Sequence, residues 1–291
     1  MKPAPVSSLS SKLGEGPLWD PRTRRLYWID IVGQVLNWMD EDGVGHRKEL
    51  PGMPGTAVLG PAPGTVVLAL DSGVVSYHTE TGNLRPLAGF PDGSDLRFND
   101  GKVAPDGSLW VGTMDRGGKT GAGTLYRWRR PSERAEMLDQ VSISNGLAWS
   151  ADGTILYFID SPLRKVQAFD IIDGKLCHRR NVVNIPEGWG WPDGMTMDGQ
   201  GKLWVAHWDG GCVVCYDPAT GEVLQRIDVP APLVTSCAFG GPDLTTLYIT
   251  TAQGSQDFGW LDLAKHPLSG RLFACAPGVQ GRPEPLLATG W

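Results

Sequence analysis

Two carboxylates and two carboxamides recur at comparable places in this sequence, and together they make an oxygen-donor set. They are Glu15, Asp193, Asn99 and Asn145, with Thr56 and Thr235 at the same place in two further segments. Each opens a short strand-like run and lies at a fixed remove from the turn that follows it. The rest of each run is apolar or small, as in Gly146-Leu147-Ala148-Trp149 and Ser236-Cys237-Ala238-Phe239. A carboxylate among such neighbours is unfavourable by several kcal/mol, roughly, unless it is neutralised or coordinates a metal. Oxygen donors suit hard or intermediate divalent cations. The competing reading is a water-filled channel lined by solvated polar side chains. Compact or rigid neighbours favour a site, in Gly14-Glu15-Gly16-Pro17, Ser144-Asn145-Gly146 and Trp191-Pro192-Asp193-Gly194. Arg97 stands two residues before Asn99, and in an extended segment such positions face the same way. Arg97 can then hydrogen-bond an oxygen-rich ligand, or else pair with Asp95 or Asp100.

What must position these residues is a repeat. A turn followed by a β-branched or aromatic run returns six times, as in Arg24-Arg25-Leu26-Tyr27-Trp28-Ile29, Asp106-Gly107-Ser108-Leu109-Trp110-Val111 and Gly201-Lys202-Leu203-Trp204-Val205. Asp-Gly or Gly-X between apolar runs signals a hairpin, because glycine supplies the positive φ of a tight turn. Further strands follow each hairpin, such as Cys212-Val213-Val214-Cys215-Tyr216 and then Glu222-Val223-Leu224-Gln225-Arg226-Ile227. A period in the forties with four short antiparallel strands per unit predicts an all-β, six-bladed β-propeller. Residues 1–291 are then a single domain, closed by an outer strand from Val6–Leu9 or from Pro285–Leu287. The first strand of each propeller blade lines the central channel, so the six polar positions form a ring at one depth.

Composition narrows the partners. The chain has 291 residues and a net charge of −6, which disfavours nucleic acid or an anionic membrane surface as a partner. No run of 18 apolar residues occurs, and Met1 to Lys12 has no apolar signal core, so a cytoplasmic protein is expected. Five cysteines without an export signal argue against a disulfide framework. Cys212 and Cys215 have redox-motif spacing, yet positions three apart in a strand face opposite ways. They read as inert.

The motifs together resemble the senescence-marker-protein/gluconolactonase family of regucalcin-like sugar lactonases. The resemblance runs over essentially the whole chain. It is carried by Gly14-Glu15-Gly16-Pro17-Leu18-Trp19, Arg97-Phe98-Asn99-Asp100-Gly101-Lys102, Leu109-Trp110-Val111-Gly112-Thr113-Met114, Ser144-Asn145-Gly146-Leu147-Ala148-Trp149-Ser150 and Pro192-Asp193-Gly194-Met195. It implies metal-dependent hydrolysis of a sugar lactone, with one divalent cation (calcium, zinc, manganese, magnesium or ferrous iron) held by Glu15, Asn145 and Asp193. It also implies substrate contacts from Arg97 and Asn99. Asp193 is the candidate general base, with a hydroxide held by the metal as the alternative nucleophile. Some members use an acidic residue in the loop after Gly-Thr-Met; here that loop is Asp115-Arg116-Gly117-Gly118-Lys119, basic and glycine-rich past Asp115.

Other residues join the candidate pocket. His207 ends a second strand, where antiparallel pairing returns the chain toward the ring, and is expected to contact substrate. Met114, Asp160 and Thr250 close equivalent strands, and Trp189 and Trp191 flank Asp193. Gly-x-Ser-x-Gly is absent, so no nucleophile elbow is indicated. The alternatives are a non-enzymatic calcium- or protein-binding propeller, and a promiscuous esterase or phosphotriesterase with a more apolar entrance. Oligomeric state leaves no mark on the sequence.

Overall fold

The computed structural model describes residues 2–90, 95–255 and 259–291. Six four-stranded antiparallel sheets are arranged so that each innermost strand packs on the innermost strand of the next, and the last packs on the first. The chain is a six-bladed β-propeller. Blades I to V are each continuous in sequence, and their innermost strands are Gly14–Asp20, Pro54–Leu59, Leu96–Val103, Ser144–Trp149 and Trp191–Met197. Blade VI begins with Val234–Gly240, and its outermost strand is Ala4–Ser10, which pairs with Arg271–Cys275. The N-terminal segment therefore closes the ring. The C-terminal alternative does not: residues 284–287 add no strand to any blade. Instead the tail straps the blades together, through Leu287 N–H to Leu59 O at 3.0 Å and Ala288 N–H to Gly107 O at 2.9 Å.

Burial falls from the axis outward. Nearly all of the first strands is buried, whereas an outer strand such as Gly45–Glu49 alternates between exposed and half-exposed. The apolar core lies between blades rather than within one. Tyr27, Ile29 and Leu36 of blade I pack with Ala57, Leu59 and Leu68 of blade II. Farther round, Trp204 of blade V meets Phe239 of blade VI edge-on at 5.9 Å. Large rings suit this place, because neighbouring blades diverge outward and leave a wedge to fill. Cys212 and Cys215 belong to clusters on opposite faces of their strand, as period-two alternation requires.

One irregularity is shared by all six blades and builds the site. In each, the pairing of first and second strands slips next to the polar ring position: after Glu15, before Thr56, after Phe98, after Asn145, after Pro192 and before Ser236. A β-bulge adds a residue on one strand and re-aims its side chain. Glycine permits the crowding this creates. A Cβ on Gly146 would lie 2.8 Å from Asp193 O, and one on Gly194 would lie 2.1 Å from Ser236 Oγ.

Candidate functional site

The ring is not six equal positions. Glu15, Asn99, Asn145 and Asp193 line one cavity of about 180 Å³, together with Arg97. The two threonines turn aside to tie neighbouring strands. Thr56 Oγ1–H donates to Gly101 O at 2.7 Å and Thr235 Oγ1–H to Gly14 O at 2.6 Å. Glu15, Arg97, Asn99, Asn145 and Asp193 are each at most 8% exposed. Its other walls are largely apolar: Leu13, Ile31, Met114, Ile143, Pro162, Trp191 and Trp208, with Ser161 and Ser255. The Arg164 guanidinium lies over the Trp191 ring, 4.8 Å from its centre, which fixes that indole at the mouth.

Hydrogen bonds order the floor. Arg97 Nη1 donates to Asn99 Oδ1 at 2.7 Å and to Phe98 O at 3.1 Å. Asn99 Nδ2 donates to Ser144 O at 2.8 Å and to Asn145 Oδ1 at 3.0 Å. Asn145 Nδ2 donates to Ser161 Oγ at 2.8 Å, and the Ser161 hydroxyl donates to Pro192 O at 2.6 Å. Ser161 opens a single 3₁₀ turn, Ser161–Leu163. Sequence reading missed it because no ring or strand-end register marks the residue after Asp160.

The two carboxylates lie where charge is costly. Burial pushes Glu15 up to about 8, with Asp100 adding to the rise and the Gly16 N–H and Arg97 opposing it. Asp193 is driven well above the ordinary carboxylate range by burial first and then by Glu15 and Asp100. Asp100 lines a separate cavity with Thr56, Lys102 and Glu284. Loss of water raises it to about 6 against the pull of Lys102 and the Gly101 N–H, while Glu284 adds to the rise. Among the described residues no three His, Cys, Asp or Glu side chains converge as a metal cluster. The donor set at the cavity is instead two carboxylates and one carboxamide. Its chemistry fits a hard divalent cation, because positive charge would relieve two buried carboxylates, and Arg97 is the one cationic side chain among the described residues that line the cavity.

His207 requires a correction. It has no exposed surface and is absent from the described cavity walls. Its Nδ1–H donates to Trp189 O at 2.7 Å, and Nε2 accepts from the Tyr216 hydroxyl at 3.1 Å. With both ring nitrogens engaged it braces blade V and offers nothing to a substrate. Burial first, with Arg226 and Arg164 adding to it against the Trp189 carbonyl, lowers its pKa to about 4.

Among the other strand-end candidates, Met114 lines the cavity. The Asp160 carboxylate instead accepts the N–H groups of Ser142 and Ile143, and Thr250 Oγ1 bonds Thr235. Trp191 is on the wall, whereas Trp189 packs against His207 and Arg226. Asp115 folds back onto Gly117 N–H and Lys119 N–H, and Arg116 pairs with Asp71.

Comparison with known proteins adds to this geometry. Residues 13–253 match the family model described as SMP-30/Gluconolactonase/LRE-like region. Pentonolactonase XacC of Haloferax volcanii is 38% identical over 283 residues, which cover 96% of each chain. A crystal structure titled as a calcium-binding protein, regucalcin, from Agrobacterium tumefaciens superposes with a TM-score of 0.91 at 29% identity, covering 99% of this chain and 97% of that one. A gluconolactonase structure from Xanthomonas campestris gives a TM-score of 0.76 at 25% identity, covering 94% and 88%.

Proposed function

The chain belongs to the SMP-30/gluconolactonase/LRE-like family, and from that premise we propose its reaction. Like the named lactonases of that family it is a lactone-hydrolysing hydrolase. Its substrate is an aldonolactone of the glucono-, xylono-, arabinono- or galactono- type, opened to the free aldonic acid. The observation that carries this reading is the convergence of Glu15, Arg97, Asn99, Asn145 and Asp193 in one cavity of about 180 Å³. That volume lies below the range of about 300–1,000 Å³ usual for drug-sized ligands and suits a molecule of monosaccharide size.

Glu15, Asn145 and Asp193 hold one divalent cation in this reading. When bound, such a cation supplies a Lewis acid for the ester carbonyl and for charge developing on its oxygen. The chain's own residues do the rest. Asp193 takes a proton from the attacking water at a carboxylate oxygen, acting as general base. The water oxygen bonds to the carbonyl carbon, the ring C–O bond breaks, and the proton passes to the departing ring oxygen. Arg97 and Asn99 orient the hydroxylated face of the ring. The described walls, with Trp191 and Trp208, exclude water from the other side.

The same walls favour a second substrate class, esters with an apolar face. The setting is cytoplasmic sugar catabolism, supported by five unpaired cysteines, four of them buried, which suit a reducing compartment. No helix among the described residues is long and apolar enough to cross a membrane.

The test is acid release from a panel of five- and six-membered sugar lactones and one unsubstituted lactone. The protein is first chelated, then resupplied with single cations, and spontaneous opening is subtracted. A chelator-sensitive rate restored by one cation is expected. No rate above background with any cation would leave a binding propeller instead.

A further inference from the structure

The chain of hydrogen bonds across the floor runs in one direction, and both of its ends are chemically fixed. Arg97 can only donate, so the Asn99 atom it meets is the carboxamide oxygen. The Asn99 NH₂ then faces Asn145, which must answer with its own oxygen. At the far end the Pro192 carbonyl can only accept, so it takes the single Ser161 proton. Ser161 Oγ is left to accept, and the atom facing it is the Asn145 NH₂. An amide can lie either way round, and its partners decide which. Here the deciding partners are Asn99 on one side and Ser161 on the other.

We propose that Ser161 is a positioning residue for the divalent cation, holding the Asn145 carboxamide oxygen-first and tying it to the strand that carries Asp193. This rests on the reading that Glu15, Asn145 and Asp193 hold the cation. Asn145 Oδ1 spends one lone pair on Asn99 and keeps the other for a metal. A reversed amide would present N–H groups to the cation and set two NH₂ groups against each other at Asn99. The same hydroxyl bonds the carbonyl that immediately precedes Asp193, so it links a ligand of blade IV to a ligand of blade V. Partners of this kind, one bond removed from the metal, typically cost about 10–100-fold in metal affinity when lost.

The experiment is calorimetric titration of Ca²⁺, Mg²⁺, Mn²⁺ and Zn²⁺, one at a time, into the chelated full-length protein. Wild type is compared with Ser161→Ala, Ser161→Thr and Asp193→Ala. Near-ultraviolet circular dichroism and melting temperature confirm that each variant is folded. Asp193→Ala is expected to lose binding, Ser161→Ala to weaken it by about 10–100-fold, and Ser161→Thr, which keeps the hydroxyl, to restore it. Wild-type affinity in Ser161→Ala, alongside loss in Asp193→Ala, would overturn the positioning role and leave the cation reading intact. Equal weakening in the alanine and threonine variants would overturn it too, because the hydroxyl would not be the cause. If wild type binds no cation, or Asp193→Ala binds as well as wild type, the ligand assignment fails and the inference with it.

Discussion

His207 offers a sharp test of how blade V is held together. The perturbation is its protonation, and the comparison is wild type against His207→Gln, which can still donate to the Trp189 carbonyl and accept from the Tyr216 hydroxyl. Burial lowers the folded pKa to about 4 from an ordinary value of 6.5. Between those values the unfolded chain binds a proton that the folded chain does not, so stability falls as pH falls. Each tenfold change in proton affinity is about 1.4 kcal/mol, which gives about 3 kcal/mol once the pH is below both values. About 2.5 kcal/mol of that is lost between about pH 7.5 and about pH 4.5. Glu15, Asp193 and Asp100 are shifted the opposite way, but they are present in both proteins and cancel in the difference. The assay is urea unfolding of the chelated protein, followed by tryptophan fluorescence across that range. Wild type should lose about 2.5 kcal/mol more than the variant. Parallel profiles would refute the claim that His207 is buried, neutral and doubly bonded. A changed KM at neutral pH in the variant would instead return His207 to the substrate.

Asp193→Ala and Asn145→Ala should each reduce lactone opening to the spontaneous background while leaving the far-ultraviolet β spectrum unchanged, as measured by acid release and circular dichroism. Deleting residues 1–10 should convert one cooperative urea transition at neutral pH into aggregation or a broad, weakened one, because it removes the strand that closes blade VI and exposes the edge of Arg271–Cys275; an unchanged midpoint would count against the chain folding as a single unit. Of the five cysteines, only half-buried Cys177 should react with a thiol reagent under native conditions, with all five reacting after unfolding. Cys212 and Cys215 are buried, and burial pushes their thiols to about 11 and about 12.

The propeller was legible because its signal is redundant. Six hairpins in one register leave few other architectures, and the ring positions could be aligned without knowing that a bulge re-aims each side chain. The bulge itself was hidden, since it is a relation between two strands and not a property of either. His207 failed for a related reason. Strand-end register places Met114 and His207 alike, and Met114 does line the cavity. His207 is drawn inward because the Trp189 carbonyl and the Tyr216 hydroxyl, the latter nine residues away, satisfy both of its nitrogens. Ser161 was invisible for the opposite reason: its role exists only where Asn145 and Pro192 approach from different blades.

An asymmetric site thus arises from a nearly six-fold scaffold through the choice of one side chain per blade. Where that side chain is threonine, its short hydroxyl reaches the backbone of the next first strand, as Thr56 reaches Gly101 and Thr235 reaches Gly14. Those blades close the ring mechanically. Where it is Glu, Asn or Asp, the longer or branched polar group extends into the cavity and carries charge or a lone pair there. Burial then acts on both carboxylates: Glu15 raises the cost of ionising Asp193, and Asp100 adds to the cost at each. The donor chain from Arg97 through Asn99, Asn145 and Ser161 to Pro192 then ties three blades together around that cavity.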